Sequence, residues 1–189
     1  MRTRQDGLAD RLDAHDKRLA ELSRSGVRGS PLLIVRLAVN VATWNADQVN
    51  VVPVSSWSAT PEFDNRDMWR YNTASGTYAE LPCAGRFRIF VTSKWAAPGF
   101  ETFNASRPNA VSTSILVNGT DPVANGVAEA TGYMLPQATS AYEVTCEDRV
   151  FEQGDRIRVN FWSFYSKPTL LARVLNTWTH LLVRYVGPE

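Results

Sequence analysis

The sequence RFRIFVTSKW, at residues 86–95, contains the alternation that decides the fold of this chain. Apolar Phe87, Ile89 and Val91 occupy every second position, and a period of two places them on one face of a β-strand. Phe90 falls on the opposite face, so this strand carries large apolar side chains on both sides. A strand of this kind needs a covering layer on each face.

Runs with the same period recur from residue 32 to the C-terminus, and no helical pattern interrupts them. Turn-forming sequences separate them, including NG at residues 118–119, the strongest short hairpin signal, and EQGD at residues 152–155. Many short strands of this kind predict an all-β, antiparallel sandwich or jelly roll. The further runs lie at residues 32–41, 49–54, 113–117, 142–151, 156–165 and 177–186.

Several of these strands are apolar on both faces, which predicts a subunit interface. By parity, His180 shares a face with Trp178 and Leu182. It is either a polar residue packed in the interface or a pH-sensitive group there. The residues predicted for this head interface are Phe90, Trp162, Phe164, Trp178, His180 and Leu182.

Residues 3–25 differ from the rest because they contain no aromatic residue and no proline. Four leucines and one histidine follow one another there at spacings of four, three, four and three, which is a heptad seam. We therefore predict a coiled-coil stalk over residues 1–25, a linker over residues 26–31 and a β head domain over residues 32–189. An amphipathic helix packed on its own domain is the alternative. The seam residues are Leu8, Leu12, His15, Leu19 and Leu22.

The composition argues against several classes of function. The 189 residues carry 20 basic and 19 acidic side chains, a net charge of +1, which leaves no electrostatic footprint for nucleic acid or an anionic membrane. No apolar stretch approaches the roughly 18 residues of a membrane span, and the charged N-terminus lacks the apolar core of a secretory signal. We therefore expect synthesis in a cytoplasm, with Cys83 and Cys146 as buried thiols in preference to a disulfide.

No constellation in the sequence is typical of catalysis, a cofactor or a metal site. His15 and His180 lack Ser, Cys or carboxylate neighbours at triad or metal spacing. Glu62, Asp64 and Asp67 lie in one loop, which we interpret as a solvated turn in preference to a calcium site because EF-hand spacing is absent. We therefore predict a protein that is not an enzyme and that binds no cofactor and no metal ion.

A group of aromatic residues lies in the loop sequence KWAAPGFETFNASRP, at residues 94–108. Exposed aromatics on a loop stack on sugar rings or anchor a partner. Buried ones cover the end of a sandwich. For Trp95, Phe100 and Phe103 both interpretations stay open from sequence.

Four motifs occur in a characteristic order. They are GTYAELP at residues 76–82, AGRFRIF at residues 84–90, ILVNG at residues 115–119 and FEQGDRIRV at residues 151–159, and a final hydrophobic strand follows them. With these motifs, residues 32–187 resemble the jelly-roll domain of the complement globular-head and tumour-necrosis-factor-like family.

The resemblance implies a jelly roll of about ten strands that assembles as a parallel homotrimer. In that family the strands corresponding to residues 86–95, 156–164 and 179–186 lie in the inner sheet, which faces the three-fold axis. A short coiled coil in place of a collagenous stalk is similar to bacteriophage fibre and head-decoration proteins that reuse this trimeric head.

We therefore predict a non-enzymatic, trimeric structural protein of a bacteriophage virion, made in the host cytoplasm and used as a head fibre, head decoration or tail-fibre knob. Other virion proteins would bind its N-terminal stalk, and a host-surface glycan is a candidate ligand of the head. Neither nucleic-acid binding nor membrane insertion is expected. The alternative is a carbohydrate-binding receptor adhesin that uses the loop around Trp95.

Overall fold

The computed structural model describes residues 30–42, 56–96, 110–120, 122–133, 139–164 and 173–189, and within these ranges most residues are in β-strands. One short helix, α1 (Pro122–Asn125), is also present in these ranges. The strands are β1 (Leu32–Arg36), β2 (Val41–Ala42), β3 (Phe63–Asp64), β4 (Trp69–Thr73), β5 (Gly76–Glu80), β6 (Gly85–Ala96), β7 (Ala110–Val117), β8 (Gly126–Tyr133), β9 (Thr139–Phe151), β10 (Arg156–Phe164) and β11 (Arg173–Gly187).

The strands form two antiparallel sheets. The six-stranded sheet has the order β3-β1-β11-β6-β9, with β2 also paired to β11, and the five-stranded sheet has the order β4-β5-β10-β7-β8. The chain changes sheet after β3, β5, β6, β8, β9 and β10, which is the winding of a jelly roll. The prediction of an all-β antiparallel sandwich is confirmed, and Pro31–Glu189 make up one compact unit.

The period-two pattern decides which side chains fill the space between the sheets. Phe87, Ile89 and Val91 of β6 are fully buried, as their alternation predicts. On β11, Val183 pairs with Ile89 and Leu181 pairs with Val91, and both are buried in the same core. The residues that alternate with them therefore lie on the opposite face of the six-stranded sheet.

The predicted position of one strand is wrong. The family resemblance places residues 156–164 in the same sheet as residues 86–95 and 179–186, but β10 lies between β5 and β7 in the five-stranded sheet. The turn at residues 152–155 carries the chain from β9 in one sheet to β10 in the other. Alternation identifies the two faces of a strand, but it contains no information about which sheet the strand joins.

An aromatic cluster joins the two sheets inside the core. Trp95 of β6 is fully buried, and its ring centroid lies 5.9 Å from that of Phe161 of β10, edge to face. Phe161 stacks on Trp57 at 6.3 Å, and Trp57 meets Trp69 edge-on at 6.1 Å. Aromatic pairs of this kind add about 0.5–1.5 kcal/mol beyond the burial of their area. The cluster is therefore a major link between the two sheets.

Buried polar groups extend from this cluster across the sandwich. The Nε1–H of Trp95 donates to Ser93 Oγ at 3.1 Å, and Ser93 Oγ lies 2.7 Å from Thr113 Oγ1. Ser93 belongs to β6 and Thr113 to β7, so the hydroxyl–hydroxyl hydrogen bond connects the sheets. All three residues are buried, and the hydrogen bonds offset the cost of removing their polar groups from water.

Thr113→Val is expected to lower the free energy of unfolding by about 1–3 kcal/mol, because it keeps the side-chain shape and removes a partner of the buried Ser93 hydroxyl. Denaturant unfolding of both proteins measures the difference. Ser114→Ala is the matched control, since Ser114 is equally buried and its hydroxyl has no hydrogen-bond partner in the described part of the chain. Equal losses in the two variants would contradict the bridging role of Thr113.

The predicted turn at residues 152–155 is present between β9 and β10. The N–H of Asp155 donates to the Glu152 carbonyl at 3.2 Å, and the Glu152 N–H donates to Asp155 Oδ2 at 2.9 Å. Gly154 has a φ of +88°, which glycine adopts without the steric penalty of a Cβ atom. Asp155 is therefore a turn residue, as its place before a strand predicts.

The predicted two-residue hairpin at residues 118–119 is wrong. Residues 118–125, which include α1, connect β7 to β8, and strand pairing resumes with Leu116 opposite Gly126. Asn118 instead binds the start of β10, because its Oδ1 accepts the N–H of Arg156 at 2.9 Å and its Nδ2 donates to Asp155 at 2.6 Å. The left-handed φ of +58° at Asn118 suits a turn of either kind.

Several predictions concern residues outside the described ranges. The coiled-coil stalk over residues 1–25, with its complete heptad seam, lies there, as does the predicted strand at residues 49–54. In the described part of the chain, no helix is long and apolar enough to cross a lipid bilayer.

The two cysteines are free thiols, as the sequence predicts. Cys146 of β9 is buried in the core, and Cys83, which lies just before β6 in the chain, is half-buried. Burial raises the pKa of the Cys146 thiol, and the charge of Arg149 opposes this effect. Cys146 is therefore a core residue that packs as a small apolar side chain.

Candidate assembly face

The candidate functional site is the outer face of the six-stranded sheet, meaning the face that points away from the core. Its central row runs across β1, β11 and β6, because Leu182 pairs with Ile34 on one side and with Phe90 on the other. Ile34 and Leu182 are 4% and 7% exposed in a single chain, and Phe90 is half-buried. Large apolar side chains thus occupy the centre of a face that a monomeric sandwich normally exposes to water.

A polar row lies next to this apolar centre. His180 pairs across the strands with Arg36 and with Thr92, and Thr92 pairs with Glu143. Thr92 Oγ1 lies 3.4 Å from Nδ1 of His180 and 3.1 Å from the Trp178 carbonyl, to which it donates. The buried imidazole is therefore held in place by a hydroxyl that is itself fixed by the backbone.

A basic row lies on the other side of the apolar centre. Arg184 of β11 pairs directly with Arg88 of β6, and Leu32 of β1 lies beyond Arg184. Arg88 Nη2 is 3.3 Å from the Asp148 carboxylate, whereas Arg184 makes no ion pair within the described ranges. An apolar centre between two polar rows is the usual layout of a protein–protein interface.

The structure brings together four of the six residues predicted for the head interface. Phe90, His180 and Leu182 share the outer face through the register of β11 against β6. Trp178 lies near them and packs under Lys94, whose Nζ is 5.2 Å from the ring centroid. The parity argument for these four residues therefore places them on one surface.

The other two predicted interface residues do not share this surface. Trp162 and Phe164 belong to β10, where they pair with Ser112 and Ala110 of β7 in the five-stranded sheet. Their predicted place beside Phe90 relied on the strand placement taken from the family resemblance, and that placement is wrong.

The interpretation of Trp95 as a ligand-binding residue is also wrong. Its side chain is fully buried against Phe161 and cannot stack on a sugar ring from solvent. Phe100 and Phe103 lie outside the described residues. The carbohydrate-binding alternative therefore loses one of the three aromatic residues on which it was based, and for the other two the role stays a prediction.

The acidic loop before β4 is a structural turn. Asp64 accepts hydrogen bonds from three backbone N–H groups, at 3.2, 3.0 and 2.8 Å. Glu62 pairs with Arg36 at 2.7 Å, and Asp67 pairs with Arg70 at 3.3 Å. The protein itself engages these carboxylates, and the residues that the structure describes include no cluster of three potential metal ligands.

Sequence reasoning did not identify Arg88 and Arg184 as a pair. Each occupies the polar position of an alternating strand, where a solvated charge is the ordinary interpretation. They become neighbours only through the register of two strands that are far apart in sequence.

Comparisons with known proteins support the fold. No protein-family model and no curated protein sequence matches the chain. Among solved structures, the chain is similar to the Eiger TNF from S. frugiperda, with a TM-score of 0.52 and 9% sequence identity over 85% of this chain and 94% of that chain.

The head domain has a tumour-necrosis-factor-like jelly-roll fold. At 9% identity the likeness concerns the fold alone, because one superfold hosts many unrelated functions. The tumour-necrosis-factor part of the family resemblance is thus confirmed as a statement about architecture.

Proposed function

We propose that this chain is a non-enzymatic, homotrimeric structural protein of a bacteriophage virion, used as a head fibre, a head decoration or a tail-fibre knob. The observation that carries the trimer is the outer face of the six-stranded sheet, with its apolar central row in a TNF-like sandwich. In this proposal the three copies pack these faces around a common axis, and each copy provides the same surface.

The layout of the outer face supports assembly. Phe90 is the member of the central row that keeps partly exposed surface in a single chain, beside the buried Leu182 and Ile34. Covering such surface yields about 25 cal/mol per Å² of apolar area. The basic row that contains the partly exposed Arg184 would then form part of the rim, where solvent remains in contact with the protein.

The heptad seam at residues 8–22 supports the same proposal from the sequence side. A coiled coil of two or three heptads is marginal by itself, because helix nucleation is costly and few turns repay it. Heads that already hold three chains together would raise the local concentration of the helices and allow them to pair. The stalk would then attach the head to other proteins of the virion.

The assignment to a virion rests on the combination of this short heptad segment with a trimeric jelly-roll head. A rigid trimer of this kind suits attachment, because three weak sites that act together bind by avidity. Antibodies raised against residues 31–189 should label intact particles of the phage that encodes the chain, as seen by electron microscopy. Particles that carry no label, with the chain found only in lysed cells, would overturn the virion assignment.

The trimer is tested by the solution mass of the purified chain. Light scattering of the full chain should give about three times 21.1 kDa. A version that starts at residue 30 should also have three times the mass of its own single chain, because in this proposal the outer face of the head forms the interface. If the trimer forms only when residues 1–29 are present, the subunit interface must be assigned to the predicted stalk and not to the head. A monomer in both cases would overturn the trimer and leave a TNF-like sandwich of unassigned role.

A further inference from the structure

The basic row of the outer face contains two arginines whose charges are only partly balanced. Arg184 and Arg88 are directly opposite each other on neighbouring antiparallel strands, a position in which like charges are destabilising. The Cβ atoms of directly opposite residues are about 4.5–5.5 Å apart. The side chains can therefore converge on a single ligand in front of the sheet.

Asp148 provides a carboxylate for one member of this pair. Its two oxygens each lie 3.3 Å from Nη2 of Arg88, and the two side chains are 42% and 45% exposed. The Nε–H of Arg88 is buried and has no hydrogen-bond partner in the described part of the chain. Asp148 therefore engages Nη2 of Arg88, and the buried Nε is out of reach of a ligand in front of the sheet.

The surrounding groups do not neutralise the second arginine. Arg184 makes no ion pair among the described residues. The nearby Arg86 donates its Nε–H to the Pro188 carbonyl at 3.0 Å, which leaves its positive charge in place. Two opposed guanidinium groups and one carboxylate give this part of the face an excess of positive charge, and each guanidinium holds its N–H donors in a planar fork.

We propose that Arg88 and Arg184 form a binding site for a small, doubly charged tetrahedral oxyanion, with inorganic phosphate as the representative ligand. A guanidinium presents N–H donors in a planar fork that matches the oxygens of such an ion, and Arg88 would contribute its Nη groups because its Nε is buried. The bound anion would replace the repulsion between the two arginines by two charge-assisted contacts. The site does not depend on the proposed trimer, because both arginines belong to the same chain.

The test compares thermal unfolding in phosphate with thermal unfolding in sodium chloride at equal ionic strength and pH. Phosphate near saturation should raise the Tm of the full chain by about 2–4 °C through preferential binding to the folded state. Arg88→Gln and Arg184→Gln should each lose at least half of this rise. Calorimetric titration with phosphate should likewise show weaker binding by Arg88→Gln and by Arg184→Gln than by the unaltered chain.

A control variant separates site binding from the general stabilising effect of phosphate on proteins. Arg70 is half-buried on the other sheet and already faces two carboxylates, those of Asp67 and Glu80. Arg70→Gln should therefore keep the full response to phosphate. A response of equal size in all three arginine variants, or no response in the unaltered chain, would overturn the site.

Asp148→Asn is a variant in which phosphate binding should become tighter. Asp148 has a φ of +46°, which asparagine also tolerates, so the backbone should be unaffected. Removal of the competing carboxylate should tighten phosphate binding about two- to fivefold, the range of an exposed ion pair. Weaker phosphate binding in Asp148→Asn would contradict the proposed competition. A chain that is monomeric but gives these phosphate results would contradict the proposed trimer and support the phosphate site.

Discussion

Trp95→Ala is expected to lower the free energy of unfolding by about 3–5 kcal/mol, which is a large fraction of the stability of a domain of this size. The indole is fully buried and touches Phe161 of the opposite sheet. Its removal would leave a cavity, break the edge-to-face contact and leave Ser93 Oγ without the Nε1–H donor. Denaturant titration followed by far-ultraviolet circular dichroism measures the loss.

Trp95→Phe is the matched variant for this prediction. Phenylalanine keeps an aromatic ring beside Phe161 but has no N–H to donate to Ser93, so we expect a smaller loss of about 1–2 kcal/mol. A Trp95→Ala protein that loses less than about 1 kcal/mol would show that the indole is not a core element. Such a result would return Trp95 to the set of candidate ligand-binding residues.

Phe90→Glu is expected to convert the proposed trimer into monomers at micromolar concentration. Phe90 lies beside Leu182 in the central row of the outer face, and assembly would bury the introduced carboxylate among apolar side chains. The cost of burying a charge without a partner is about 3 kcal/mol or more, which weakens association at least about 100-fold. Light scattering should then give a mass near 21.1 kDa.

The control for Phe90→Glu introduces the same charge far from the outer face. Ala74 is exposed in the turn between β4 and β5 of the five-stranded sheet, so Ala74→Glu should leave the mass unchanged. Circular dichroism should show folded protein for both variants, because Phe90 points away from the core. A Phe90→Glu protein that remains trimeric would place the subunit interface on another surface of the head.

The core could be predicted from sequence because it depends on local geometry. Consecutive side chains of a strand alternate between its faces whatever the strand pairs with. The burial of Phe87, Ile89 and Val91 and the outward position of Phe90 therefore follow from residues 86–95 alone. The turn at residues 152–155 was predictable for a similar reason, since Asp155 bonds to the backbone three residues away.

The partners of each strand could not be predicted in the same way. Residues 156–164 have the apolar pattern of an inner-sheet strand, yet β10 pairs with β5 and β7. The sequence NG at residues 118–119 has the chemistry of a tight hairpin, but Asn118 bonds to Arg156 across a distance of 38 residues. Signals of this kind are degenerate, because the same residues satisfy several turns and either sheet.

The sequence by itself determined the fold class, the apolar faces of the strands and the segment with a heptad seam, since each is a property of residues close together in the chain. Tertiary structure decided which faces meet and which charges become neighbours. The contact of Trp95 with Phe161 and the opposition of Arg88 and Arg184 both arise from pairings between distant segments. Their physical basis is the packing of two sheets and the register of β11 against β6, and neither is encoded in any short stretch of residues.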